Sequence, residues 1–234
     1  MTPTPDKARP NSALAVQELR RLIFSGDLAA GSDHLESELA ARLGMSRTPV
    51  REAVLLLEAQ GLLDVRPRKG VRIRPVSPTD MAEIYDVLSE LESLAAAGAA
   101  RLVCNQVDAA DPMDPVDLND LARAIDAMDS ALADDDREAW AAADDAFHTE
   151  LVRLGGNSRV IAIVAMMADQ VRRARRVTLY LRPAPIQSNA DHRAVLEAIR
   201  SGDADAASRL HREHRARAKA TLIAVLDRLR LSNL

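Results

Sequence analysis

Asp144 and His148 stand four residues apart in a stretch whose apolar members Trp140, Phe147 and Leu151 recur at helical spacing on the same face. Four residues is one helical turn, so a carboxylate and an imidazole placed this way can clamp a single ion. His192 shares a face with Val195, Leu196 and Ile199, while His214 follows Leu210 by four residues and precedes Ala218 and Leu222 by four and eight. One carboxylate and three imidazoles from three helices, all directed inward, are the donor set of a site for a divalent metal ion, Zn²⁺, Ni²⁺ or Mn²⁺. Each residue alone has a plainer explanation: a core His is commonly a hydrogen-bonded structural residue, and Asp144 could be the buried partner of an arginine. Four buried polar groups without partners would cost several kcal/mol together, which favours a shared ion. Asp145 and His211 are the competing register choices and lie further round from the apolar stripes.

A second chemistry is written near the other end of the chain. Ser46, Arg47, Thr48 and Arg51 open a stretch whose apolar residues Val50, Val54 and Leu57 bury one face, with Ser46 as the expected N-cap. Guanidinium groups reach guanine edges or phosphates, hydroxyls bond phosphate oxygens, and a helix N-terminus favours an anion, so this face suits DNA. Arg66, Arg68, Lys69, Arg72 and Arg74 then fall within residues 66–74 without an intervening acid, the local footprint that phosphate binding needs.

These residues need positioning elements. Leu35, Leu39 and Leu43 carry a short helix that Gly44 ends, and the Ser46 helix follows, giving a helix-turn-helix. Gly61 breaks the second helix; Leu62 to Val65 and Val71 to Ile73 read as two strands around the basic turn Arg66 to Gly70, a wing. Pro75-Val76-Ser77-Pro78-Thr79 reads as a hinge, because two prolines resist helix on either side. Beyond it, amphipathic stretches are expected at Asp80 to about Cys104, with an apolar stripe of Ile84, Val87, Leu88, Leu91, Leu94 and Ala95, and then at Leu118 to Ala133, Arg137 to Leu154, Ser158 to Leu181, Asn189 to Ser201 and Ala204 to Leu231. Asp108 to Pro115 interrupts them as an acidic loop. The fold class is therefore mainly α: a winged helix-turn-helix at 11–75 with a small β wing, a hinge at 76–79 and an all-helical antiparallel bundle at 80–234, preceded by a disordered tail at 1–10.

Composition agrees. At 234 residues and 47% hydrophobic content the chain can bury two modest cores, and with 2% aromatics those cores must be aliphatic, which favours helices. The net charge of −4 is unevenly spread: residues 1–78 hold 12 Lys and Arg against 9 Asp and Glu, leaving 19 against 26 for the remainder. Cys104 is the single cysteine, no apolar signal region opens the chain and no stretch spans a membrane, so a reducing cytoplasm is the expected compartment.

Residues about 12 to 75 resemble the winged helix-turn-helix of GntR-type bacterial transcription regulators. The matching elements are Gly26-Asp27-Leu28 with Gly31, Leu39-Ala40, Leu43-Gly44, Ser46 to Ala53, Gly61-Leu62 and Arg68-Lys69-Gly70, with Ala30 where that family has proline. The remainder resembles the helical effector domain of the FadR-like, FCD-type subgroup, through Asp144 to His148, Gly156-Asn157, His192 to Ile199 and Arg212-Glu213-His214. An arginine common before that domain's first Leu-Glu is missing, since Leu88 and Ser89 precede Leu91-Glu92. The resemblance implies DNA contacts by Ser46, Arg47, Thr48, Arg51, Arg68, Lys69 and Gly70. It also implies a divalent metal on Asp144, His148, His192 and His214, and a small carboxylate effector bound against it.

Arg172 and Arg175 continue the face of Ile161, Ala165 and Ala168, which makes Arg172 the candidate effector clamp and leaves the neighbouring arginines to solvent. The expected function is a homodimeric, ligand-responsive regulator, a repressor by preference, that binds a palindromic operator as a two-fold dimer through an interface in the helical domain and is switched by a small organic acid. Two alternatives are a metal-dependent hydrolase, against which no His-Glu-x-x-His element is present, and a pure metal sensor.

Overall fold

The computed structural model describes residues 8–107 and 116–232, and the chain divides into two compact units, one ending at Val76 and the other beginning at Ser77. Residues 1–7 of the expected tail and the expected loop Asp108 to Pro115 lie outside the described residues.

In the first unit the order is α1 (Ala8–Ser25), β1 (Asp33–His34), α2 (Glu36–Leu43), α3 (Arg47–Ala59), β2 (Leu63–Arg66) and β3 (Gly70–Ile73). Helix α1 begins at Ala8, inside the segment expected to be tail. It contributes Leu19, Leu22 and Ile23 to a core completed by Leu39 of α2, Val50, Val54 and Leu57 of α3, and Leu63, Val71 and Ile73 of the sheet. The three strands pair antiparallel in the order β1-β3-β2, with Val65 opposite Val71 and His34 opposite Val71 on the other edge. Strand β1 was not legible as a strand, because two residues carry no period. Its approach fixes Gly70: a Cβ there would collide with the carbonyl oxygen of His34, and φ at this residue is +85°.

Leu35 is exposed and stands at the N-cap of α2, where its backbone N–H donates to Glu38 Oε2 at 3.0 Å, so Leu39 rather than Leu35 anchors that helix. Ser46 is the N-cap residue of α3, but its hydroxyl makes no capping bond and stays exposed.

The second unit contains α4 (Pro78–Val107), α5 (Asn119–Ala133), α6 (Arg137–Leu154), α7 (Ser158–Thr178) with a 3₁₀ turn at Leu179–Leu181, α8 (Ile186–Arg200) and α9 (Ala204–Ser232). Helix α4 starts inside the expected hinge. Ser77 Oγ accepts from Asp80 N–H at 3.2 Å, and Pro78 takes the first helical position, where its missing N–H costs nothing. Helices α4 and α9 pack along one another with α8 against both, and α5 packs on α6. The largest cluster unites Leu121, Ile125 and Met128 of α5, Trp140, Phe147 and Leu151 of α6, and Val195, Leu196 and Ile199 of α8. The buried face of α4 includes Met81, Tyr85, Leu88, Glu92, Ala95, Ala96 and Ala99; of the predicted stripe Leu88 and Ala95 are buried, Ile84 and Leu91 are half-buried, and Val87 and Leu94 are exposed. Helix α4 also meets the end of α6 at backbone range: a Cβ at Gly98 would lie 2.9 Å from the Gly155 carbonyl oxygen.

Candidate metal centre and nucleic-acid interface

Asp136 caps α6 by accepting from Ala139 N–H at 2.9 Å, and Asn157 caps α7 by accepting from Arg159 N–H at 3.0 Å. With the start of α6 set, Asp144 and His148 turn inward together at 1% and 6% exposure. Helix α8 brings His192 and α9 brings His214, at 0% and 2%. One ligand-type atom from each of the four lies within 4.8 Å of the others. His148 Nε2 is 3.4 Å from His192 Nε2, and Asp144 Oδ1 is 3.6 Å from His192 Nε2 and 3.8 Å from His148 Nε2. Metal bonds of about 2.0 to 2.1 Å in a tetrahedron would separate neighbouring donors by about 3.4 Å, so the spacing suits a common ion. Asp144 Oδ1 and His214 Nε2 are buried and have no hydrogen-bond partner among the described residues, a state that suits atoms kept for a cation and that they share with His148 Nδ1, His192 Nδ1 and both nitrogens of His211.

The surroundings hold Asp144, His192 and His214 in the protonation states a metal requires. Burial opposes the charge on Asp144, but Arg175 and the three imidazoles outweigh it and keep the carboxyl far below the usual range. Burial also drives three imidazoles of this region, those of His192, His211 and His214, toward the neutral form: His192 falls well below its ordinary range, His211 to about 3 and His214 to about 4.

Asp144 is also the buried partner of an arginine. Its Oδ2 accepts from Arg175 Nη1, while Arg175 reaches Asp145 Oδ1 at 3.2 Å and the Tyr85 hydroxyl at 3.4 Å. A cavity of about 390 Å³ opens beside the cluster, lined by Asp144 and His214 together with Tyr85, Trp140, Arg175, Arg182, Gln187, Asp191 and Arg217. Arg217 is paired with Asp191 at 2.8 Å. Arg182 donates to the Arg175 backbone carbonyl at 3.2 Å, and its Nε is buried without a hydrogen-bond partner among the described residues.

Arg172 is not a cavity residue. Its side chain is 45% exposed and bound to Asp145 at 2.9 Å and Asp169 at 2.7 Å. Of the face it continues, Ile161 and Ala165 are exposed and Ala168 is half-buried; the buried side of α7 carries Val160, Val171, Ala174, Arg175 and Thr178. The apolar stripe of α9 predicts His211 further from the core than His214, yet His211 is 0% exposed, with Nε2 3.3 Å from Glu92 Oε2. Glu92 itself escaped sequence reasoning, although a carboxylate among Leu88, Ala95 and Ala96 on a buried helix face is a signal of the same kind as Asp144.

In the first unit Arg47, Thr48 and Arg51 are exposed on α3 and line one shallow surface depression with Glu36, Glu52 and Leu55. The wing tip is the turn Arg66 to Lys69, closed by Lys69 N–H donating to Arg66 O at 3.0 Å, with Arg68 at φ +65°. Arg68 and Lys69 are exposed. The other basic residues of 66–74 are not free as their sequence neighbourhood suggested. Arg66 and Arg72 both face Asp33 of β1, at 3.4 and 3.6 Å, and Arg74 faces Asp64 at 3.5 Å.

A winged helix-turn-helix joined to a helical unit with a buried Asp/His centre defines a class of bacterial DNA-binding regulators. The sequence matches the bacterial regulatory proteins of the gntR family over residues 11–73 and the FCD domain over residues 83–217, so the chain belongs to the gntR family in its FCD-bearing branch and is a transcriptional regulator rather than an enzyme. It is 33% identical, over 84% of its length and 78% of the relative's, to an uncharacterized HTH-type transcriptional regulator in an unstable DNA locus of Streptomyces ambofaciens. It is 30% identical, over 82% and 80%, to the probable D-xylose utilization operon transcriptional repressor of Paenarthrobacter nicotinovorans. A crystal structure of a GntR regulator from Rhodococcus sp. RHA1 shares the fold with a TM-score of 0.70 at 23% identity, over 92% of this chain and 98% of that one. Regulators of this family bind operator DNA, and no described helix is long and apolar enough to cross a membrane.

Proposed function

We propose that the chain is a homodimeric repressor released from its operator by a small carboxylate that enters the cavity beside the Asp144, His148, His192 and His214 cluster. The observation that carries this reading is that Asp144 belongs to both places: one oxygen faces the imidazoles and the other is bound to Arg175, a cavity wall. Asp144, His148, His192 and His214 would hold a divalent ion, which when bound supplies a Lewis-acidic centre for an anionic oxygen. Arg182, with its buried unpartnered Nε, is the cation in the wall that awaits an acid, and Arg175 holds the Asp144 carboxylate in place. The apolar sides of Trp140, Pro183 and Ala218 limit the effector to a compact molecule.

Operator reading falls to Arg47 and Arg51, with Ser46 and Thr48 on phosphates and Arg68, Lys69 and the Gly70 backbone at the wing tip. For the dimer, α4 and α7 pack together through Ala95 and Val160 and leave Val87, Leu94, Ile161, Ile163 and Met166 exposed, apolar area suited to a second copy. A DNA-binding regulator of this kind works in the cytoplasm.

The test is a thermal-shift screen of dicarboxylates, sugar acids and lactate, with and without divalent metal, followed by operator binding. A ligand at 100 times its dissociation constant adds about 2.7 kcal/mol of stability. Metal-dependent stabilisation by one acid, together with weaker operator binding, is expected. Operator binding that responds to metal with no acid active would make the chain a metal sensor and reject the effector.

A further inference from the structure

Glu92 projects from α4 into the back of the imidazole cluster at 1% exposure, 123 residues from the arginine that holds it. Arg215 of α9 binds it in bidentate fashion, Nε to Oε2 at 2.7 Å and Nη2 to Oε1. The same Oε2 stands 3.1 Å from His148 Nδ1 and 3.3 Å from His211 Nε2, within charge-contact distance although neither ring is turned far enough for a hydrogen bond. An ionised carboxylate only accepts, and a bare nitrogen this close would set one lone pair against another, so the protonated nitrogen is the favoured neighbour. A neutral imidazole has one N–H. With the proton of His148 on Nδ1, its Nε2 is bare on the side where Asp144 and His192 lie.

We infer that Glu92 is a positioning residue: it fixes His148 in the Nδ1–H tautomer and so presents Nε2 as a donor to the Asp144, His148, His192 and His214 cluster. The inference rests on reading those four residues as metal ligands. It explains why His211, as buried as the others, stays outside the set, since its Nε2 is turned to Glu92. It also sets aside Glu92, His148 and His211 as a second ion site, although they are close enough to form one. A cation there would share its carboxylate with the Arg215 guanidinium. Asp191 stands behind His214 in the same relation, 3.4 Å from Nδ1, so two of the three imidazoles are backed by a carboxylate.

The experiment uses the full chain with ¹⁵N-labelled histidine. In chelator-treated wild-type protein, long-range ¹H–¹⁵N spectra should show His148, assigned by the signal lost in His148→Gln, with protonated Nδ1 and bare Nε2. The opposite tautomer overturns the inference and needs no Glu92 variant to be folded. Glu92→Gln with Arg215→Gln, which removes both charges together, should weaken Zn²⁺ affinity 10 to 100-fold in competition with a chromophoric chelator and mix the His148 tautomers. Unchanged affinity overturns it. Two ions per wild-type chain, one of them lost in the variant, make Glu92 a ligand and overturn it as well. Absence of any divalent uptake by the wild-type chain overturns the ligand reading and this inference together, whereas the tautomer, read without metal, tests this inference alone.

Discussion

Asp144 and Arg175 form a buried ion pair that engages only one of the two Asp144 oxygens. The other, Oδ1, is left to the imidazoles, so a single carboxylate joins the cavity wall to the candidate metal centre. Arg175→Met keeps the bulk and removes the charge, stranding a buried carboxylate. Loss of about 3 kcal/mol of stability is expected, together with loss of effector response. Chemical denaturation and effector titration of the operator complex measure both; an unchanged effector response in the variant would remove Arg175 from the site.

Purified protein should carry about one divalent ion per chain. Alanine at Asp144, His148, His192 or His214 should strip it and lower thermal stability, because the remaining donors stay buried without a partner. Operator binding by the first unit should persist, since it has its own core. Elemental analysis after purification without chelator reads the first result and calorimetry the second. His211→Ala is not a neutral control, because His211 is fully buried against Glu92; it should reduce stability.

Acid should weaken the metal-free fold in a defined window. Burial holds His192 below its ordinary range, His211 at about 3 and His214 at about 4, while an unfolded imidazole titrates near 6.5. Between those values the unfolded chain binds more protons, so stability falls as pH drops below about 6.5, at about 1.4 kcal/mol per pH unit for each imidazole. Glu92 and Asp144 are depressed carboxyls whose contribution is lost only at lower pH, below the ordinary carboxylate range. Urea midpoints of chelator-treated protein at pH 7.5 and 5.5 check this; equal midpoints would mean that the imidazoles are not held neutral.

Arg47→Ala and Arg51→Ala should each cost about 1 to 3 kcal/mol of operator affinity, with discrimination lost at one position per half-site. Lys69→Ala should weaken all sequences alike and flatten the salt dependence. Arg72→Ala should change DNA binding less than Lys69→Ala, because Arg72 already faces Asp33. Fluorescence anisotropy over a salt series separates these cases.

Leu94→Glu and Met166→Glu place charge on the exposed apolar residues of α4 and α7 and should shift a dimer toward monomer at micromolar concentration. Light scattering that finds the same dimer in both variants would move the interface elsewhere.

What could be read from sequence follows the range of the interaction that decides it. Asp144 and His148 were legible because one helical turn and the surrounding apolar residues fix their direction. His192 and His214 were legible through apolar neighbours on their own helices. Glu92 took its meaning from Arg215 and the wing arginines from Asp33, pairings across helices or strands that no local period reveals. The misplaced Arg172 has a different cause: the apolar residues on the outer side of α7 imitate a core stripe, and the true inner face carries arginines.

The contact between Gly98 and Gly155 brings the backbones of α4 and the end of α6 together with no side chain between them. Glu92 lies six residues from it and Pro78 twenty, about 9 and 30 Å along the helix axis. Alanine at either glycine would therefore drive a wedge between α4 and the end of α6 and shift both Glu92 and His148 from the positions that face one another.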